Sequence, residues 1–241
     1  MQFIPVVTRQ GKEIRLANTS LPYRFRLNHD LMLQGKLPLG SGKFDTGLHF
    51  DGKTAMAGMR RLKFDPEKGS VDLWIFMPLV LQSQTGIVFF IQCEDDTPWS
   101  YHQLSIPARS RKLEYVTYRH KERKNNLIRS KDIESDDFIF VQCTWDAAAN
   151  KMELFIDGKS VGTSSYMPAG GKMSSLTLGG RLHFSPKGPV SLALNQMVLD
   201  EFHVTCNPKK LPVPDKPHEK TADASVLFHF DEKTLTENIC R

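Results

Sequence analysis

The spacing of strand signals constrains this chain more than any other feature. Between residues 70 and 204, short segments rich in β-branched and aromatic residues follow one another. They are SVDLWIFMP (70–78), GIVFFIQC (86–93), KLEYVTYRH (112–120), FIFVQCTW (138–145), KMELFID (151–157), SLTLGG (175–180) and MVLDEFHV (197–204). No stretch sustains an i, i+3, i+4, i+7 apolar pattern over three turns, so long helices are not expected. Turn chemistry agrees. Asp157-Gly158 lies between MELFI and KSVGTS, and Asp-Gly supplies the two positive φ angles of a type I′ hairpin. Asp51-Gly52 repeats the signal after GLHF, and Asn150, which tolerates the left-handed region, closes the AAAN loop. Many strands with short loops predict two packed antiparallel sheets or a closed barrel.

Face patterning adds detail. In SVDLWIFMP, Val71, Leu73, Ile75 and Met77 share one face, while Trp74 and Phe76 occupy the other. A strand apolar on both faces is covered on both sides. In MVLDEFHV, alternation groups Val198, Asp200, Phe202 and Val204. Asp200 is therefore expected among apolar neighbours, either held by backbone amides or ligating calcium. Residues 207–224 carry Pro208, Pro212, Pro214 and Pro217. That segment is neither helix nor interior strand and reads as a connector. The expected organisation is an irregular arm (1–40), one sandwich domain (41–206), the Pro-rich connector (207–224), and a C-terminal strand and tail (225–241) packed on the same domain.

Charge and cysteine usage bear on partners and compartment. Residues 108–131 hold nine basic and two acidic residues, a local +7 in a chain whose total is +5. The basic pI is a local property and speaks to binding rather than fold. The apolar runs 75–81 and 86–91 are far shorter than the ~20 residues of a membrane helix. MQFIPVVTRQGK lacks the apolar core of a signal peptide. The four cysteines, 93, 143, 206 and 240, contain no CxxC pair, which argues against a zinc ribbon or a thioredoxin-type motif. Cys93 and Cys143 end similar strand-like runs, and a Cys206–Cys240 bridge would tie down the tail in an oxidising compartment.

The order of the motifs resembles the LamG-like, concanavalin A-like jelly-roll superfamily. GKFDTGLHFDG (42–52) looks like its opening strand, and SVDLWIFMP like its Trp-bearing strand. FIFVQCTWDAAANKMELFIDGKSVG (138–162) looks like its hairpin, and LTLGGR (176–181) with VLDEFHV (198–204) like its closing strands. The similarity spans roughly residues 40–206. It implies a jelly-roll sandwich of two curved antiparallel sheets in an extracellular, periplasmic or cell-surface protein. Because this fold hosts lectins, receptor modules and glycosidases, function must be argued from a site.

Catalysis finds little support. An alternating acidic triplet on one strand would suit glycoside hydrolysis. The one match, Asp132, Glu134 and Asp136, lies in a polar run that reads as a solvated loop. No nucleophile motif or phosphate-binding glycine loop occurs, and the eight histidines show no HxH or HExxH spacing. No cofactor is required. Calcium is suggested by the resemblance, with Asp51 and Asp200 as expected ligands and Asp95 and Asp96 as further candidates. Two binding surfaces are expected. One is the loop DDTPWSYHQ, where Trp99 and Tyr101 would pack on a sugar and Asp95 and Asp96 would accept its hydroxyls. The other is the basic window, where Tyr115, Tyr118 and His120 interleave with Arg119, Lys121, Arg123 and Lys124 to suit an anionic ligand. Nucleic acid is not favoured, since no reading motif accompanies the charge. The expected function is a non-catalytic binding module for a glycan, anionic if the basic window takes part, or for a protein. The alternative is a structural subunit of a surface assembly, built through arm and tail.

Overall fold

The computed structural model describes residues 3–7, 13–17, 26–27, 31–34, 39–52, 56–77, 81–93, 100–168, 173–185, 188–192, 196–219 and 221–230. These hold β1 (Phe3–Val7), β2 (Glu13–Ala17), β3 (Arg26–Leu27), β4 (Leu31–Gln34), β5 (Leu39–Ser41), β6 (Thr46–Asp51) and β7 (Met56–Phe64). Then follow β8 (Lys68–Phe76), β9 (Gly86–Cys93), β10 (Tyr101–Ile106), β11 (Glu114–Arg119), β12 (Lys124–Arg129), β13 (Ile139–Asp146) and β14 (Lys151–Ile156). The series closes with β15 (Lys159–Ser164), β16 (Met173–Leu178), β17 (Arg181–Ser185), β18 (Gly188–Leu192), β19 (Gln196–Thr205) and β20 (Ala224–Phe228). No helix occurs among the described residues.

Two antiparallel sheets carry the architecture, and neither closes into a barrel. The first runs β12-β11-β10-β9-β16-β7-β4-β3; the second runs β15-β14-β13-β8-β19-β6-β5, with β20 also pairing β19. Each sheet joins a run of consecutive strands, β9 to β12 or β13 to β15, to partners from distant sequence, because the chain alternates between sheets from β6 to β9. Strand pairing reaches into the expected arm: β4 pairs β7, β5 pairs β6, and β1–β2 form a separate hairpin. The Asp157-Gly158 turn joins β14 to β15 with φ of 48° and 69°, as a type I′ turn demands. Asp157 also ties that turn to β13, its Oδ1 accepting the Phe140 N–H at 2.9 Å.

The core between the sheets is mainly apolar and contains a polar knot centred on His102. His102 on β10 is 1% exposed, between Trp145 and Phe64 rings at 4.9 and 5.0 Å. Tyr166 spends its hydroxyl proton on the Pro66 carbonyl at 2.6 Å, so it must accept from His102 Nε2 at 3.1 Å. His102 Nδ1 therefore accepts from the Tyr115 hydroxyl at 3.0 Å, which fixes the neutral Nε2–H tautomer.

Two features depart from simple alternation. β19 was expected to place Val198, Asp200, Phe202 and Val204 on one face. Instead Glu201 takes φ 51° at a β-bulge, and the register with β8 shifts between Asp200 and His203. Met197, Leu199, Phe202 and Val204 enter the core, while Asp200 and His203 both face outward, opposite Trp74 and Asp72. The second feature is the Pro-rich segment, which lies over that outer face as a strap. Gln142 Oε1 accepts the Leu211 N–H at 2.9 Å, and its Nε2 donates to the Lys209 carbonyl at 3.0 Å. The expected cover over the outer face of β8 is thus supplied by residues 207–219, together with Phe44 and Phe140 against Trp74.

Asp200 caps the 42–45 loop. Its Oδ2 accepts the Lys43 and Phe44 N–H groups at 2.8 and 3.2 Å, and its Oδ1 accepts the Glu201 N–H at 2.9 Å. Burial pushes this carboxyl up to about 7, with the Phe44 N–H opposing and the Glu201 charge adding.

Stability versus pH follows from these groups. Burial lowers His102 from 6.5 to about 3. The unfolded chain therefore binds its proton before the folded one does, and stability is lost as pH falls from about 6.5 toward 3. Asp200, raised to about 7, acts in the opposite sense on the way down to its ordinary 3.8. Comparing the wild type with His102→Gln isolates the first effect. The acid-side loss is expected to be shallower in the variant by urea denaturation across this range. Parallel curves would contradict the buried neutral imidazole.

Cys93 and Cys143 lie on β9 and β13, in different sheets. Cys143 is a buried thiol pushed up by burial and by the Asp72 charge. Cys206 is a free thiol 3.8 Å from Ser225 Oγ. Its expected partner Cys240 lies outside the described residues.

Candidate functional site

A polar and aromatic surface occupies the outer face of the first sheet, and strand parity builds it. On β10, His102, Leu104 and Ile106 enter the core, so Tyr101, Gln103 and Ser105 face outward. On β11, Tyr115 and Thr117 are buried, so Val116 and Tyr118 face outward. The register then aligns two rows. Asn125, Tyr118, Tyr101 and Gln92 lie side by side across β12 to β9, and Leu127, Val116, Gln103, Phe90 and Thr177 form the next row.

The rings in these rows make a continuous platform. Tyr101 and Tyr118 stack at 5.2 Å with 30° between planes, and Phe90 tilts against Tyr101 at 4.9 Å. Arg181 at the start of β17 lays its guanidinium over Phe90 at 4.6 Å and Tyr101 at 5.7 Å. His120 meets Tyr118 edge-on at 6.1 Å. Tyr101, Tyr118 and Arg181 are half-buried. Burial raises the Tyr101 phenol, with Arg181 opposing; burial lowers Arg181, with Tyr101 opposing. Guanidinium stays charged at neutral pH regardless. Leu127, 43% exposed, extends the apolar edge. Chemically, the arrangement offers stacked rings for an apolar ligand face, a planar cation for a carboxylate or sulfate, and amides for hydroxyls.

The expected residues distribute unevenly around this platform. Tyr101 and Tyr118 sit in it, whereas Tyr115 is a core residue bonded to His102. Arg119 ends β11, Lys121 and Arg123 occupy the β11–β12 turn, and Lys124 opens β12 opposite Arg119, all near Tyr118 and His120; Arg123 has φ 49°. Arg119 pairs with Glu122 at 2.8 Å. The rest of the basic window is not part of this cluster. Arg109, Arg111, Lys112, Arg129 and Lys131 lie at the other end of the hairpin, about 17 Å away along β11, where Arg129 pairs with Glu114, and Lys112 lies 3.8 Å from Asp132. Asp95, Asp96 and Trp99 fall outside the described residues. Asp132, Glu134 and Asp136 lie in the irregular stretch before β13, as the sequence implies. Asp51 and Asp200 do not share a site. Asp51 pairs with Gln196 four residues along β19, about 13 Å away, and the Asp200 oxygens already face three N–H donors.

A second cluster escaped sequence reasoning. Asp72 on β8, His203 on β19 and His218 on the strap bring one ligand-type atom each within 4.8 Å of one another. They come from three distant segments with no motif spacing. The one signal available is that Asp72 shares a strand face with Trp74 and Phe76, which places an acid on the covered outer side of β8.

No family model matches this chain, and no curated protein sequence matches it either. Solved structures do. A botulinum neurotoxin serotype D binding domain aligns at 14% identity with TM-score 0.53, over 86% of this chain and 49% of that one. The binding domain of botulinum neurotoxin DC in complex with SialylT aligns at 14% identity with TM-score 0.54, over 85% and 48%. A Bacteroides ovatus protein named for a proposed carbohydrate-binding role aligns at 12% identity with TM-score 0.50, over 77% and 51%. The chain spans about half the length of each. At these identities the likeness shows the fold alone: an all-β, jelly-roll-like sandwich.

Proposed function

We propose that this chain is a non-catalytic carbohydrate-binding module acting outside the cell, and that it takes an acidic glycan on the outer face of the first sheet. The observation that carries the reading is the half-exposed Tyr101–Tyr118 stack with the Arg181 guanidinium above its edge. A pyranose packs its C–H face on such rings, and the guanidinium fork receives a carboxylate or sulfate. Gln92, Gln103 and Asn125 flank the rings with amide groups for hydroxyls. Arg119, Lys121 and Arg123 add positive charge at the adjoining turn. Trp99, Asp95 and Asp96, which lie outside the described residues, remain candidates for the same ligand on the ground of their residue types alone. The sialyl ligand named for one structural relative supports a glycan class. The match covers less than half of that protein, and the support for an acidic glycan comes from this chain's own rings and guanidinium.

A glycan array including sialylated, sulfated and uronic-acid polymers tests this at two salt concentrations. Hits are expected among acidic glycans, weakening with salt as the exposed cations are screened. Hits confined to neutral sugars and insensitive to salt would contradict the acidic preference. A blank array would contradict the module itself.

A further inference from the structure

We propose that Asp72, His203 and His218 form a divalent transition-metal site that fastens the Pro-rich strap to the second sheet. This inference is independent of the glycan surface, which lies on the other sheet.

The geometry is specific. Asp72 and His203 face each other across β8 and β19, with His203 Nδ1 3.2 Å from Asp72 Oδ2. His218 brings Nε2 to 2.8 Å from Asp72 Oδ1. That contact is close but lacks hydrogen-bond alignment. Asp72 Oδ1, His203 Nε2 and His218 Nε2 are all buried without a hydrogen-bond partner. Asp72 is fully buried, and the side chain of His203 is 4% exposed. Two imidazoles and a carboxylate thus converge from three segments, with buried polar atoms left short of hydrogen bonds, which is costly for plain polar groups. A cation coordinated by one atom of each would neutralise the buried carboxylate and offset that cost.

The donor set selects the metal. Two imidazole nitrogens and one carboxylate suit zinc, cobalt, nickel or copper(II). Calcium and magnesium want oxygens throughout, which this site does not supply. Three protein ligands leave a coordination position for water or an anion.

The surroundings position each ligand. The bulge at Glu201 re-phases β19 so that His203 faces Asp72. Glu201 Oε2 then accepts the His218 N–H at 2.7 Å, and its Oε1 lies 2.8 Å from His229 Nδ1. Gln142, in the same cross-strand row as Asp72, holds the strap at Lys209 and Leu211. These are outer contacts of the kind that orient metal ligands.

The test uses the full chain after treatment with a chelator. Cobalt(II) is titrated while the visible d–d absorption is followed, and zinc is then added to displace it. One bound metal per chain is expected, with a cobalt band that zinc abolishes. Zinc should also slow proteolytic cleavage within residues 207–219. His218→Gln, a strap residue outside the core, is expected to weaken binding by roughly 100-fold or more. His49→Gln, at an exposed position on β6, should leave it unchanged. Absence of a cobalt band, or binding that survives His218→Gln, would overturn the proposal. Asp72→Asn provides a second ligand variant of nearly equal volume.

Discussion

Gly179→Ala is expected to destabilise the fold by about 2–6 kcal/mol, combining backbone strain with core overpacking. Gly179 has φ +77°, and a Cβ there would press into the Phe50 ring, with Cγ at 2.8 Å. Phe50 is fully buried, so the ring has little room to retreat. The turn cannot easily shift either, since the Gly179 N–H donates to the Val88 carbonyl at 3.0 Å and Thr177 Oγ1 to the Gly180 carbonyl at 2.8 Å. Against a domain stability of roughly 5–15 kcal/mol, that loss removes a large share of the margin. Urea denaturation of Gly179→Ala, Phe50→Leu and the double variant separates the causes. A double variant more stable than the sum of the two losses confirms the ring clash; strict additivity would refute it.

Trp145→Ala should cost about 3–5 kcal/mol, the usual range for removing a large buried aromatic. Trp145 is 1% exposed, stacks on Phe64 at 4.7 Å, and donates its indole N–H to the Asp65 carbonyl at 2.9 Å. It also walls the His102 knot. Trp145→Phe keeps most of the packing and forfeits mainly the hydrogen bond, so it should cost markedly less. Equal losses in the two variants would show that the ring's volume is not what counts.

Much of the framework was legible because strands write themselves with period two and hairpins with Asp-Gly. GIVFFIQC matches β9 residue for residue, and the 157–158 turn has the φ angles its residues predict. The β19 bulge was not legible. Nothing in MVLDEFHV marks Glu201 for positive φ, and that single extra residue exchanges which side chains are buried. The strap was readable as neither helix nor strand, but its docking depends on Gln142 and Glu201, which lie far from it in sequence.

The binding face was half visible for the same reason. Tyr101 and Tyr118 stood out by type, yet only the β11 register separates the outward-facing Tyr118 from the buried Tyr115. Phe90 reads as core in GIVFFIQC until β9 is placed in its sheet. Arg181 reaches the platform from β17, some 80 residues beyond Tyr101, and no local pattern announces it. The basic window looked like one patch because a hairpin folds its ends apart, a separation that composition does not record.

The most direct measurement is the glycan array probed in parallel with wild type and Tyr118→Ala. Tyr118 is half-buried on the outer face, so the substitution should lower the melting temperature by only a few degrees, about 2–6 °C, and leave the domain folded. The predicted result is acidic-glycan hits for the wild type and at least about a 10-fold loss of affinity for the variant, equivalent to roughly 1.4 kcal/mol. Hits of equal strength for both proteins would mean that the glycan binds elsewhere, and would contradict the placement of the site on this face.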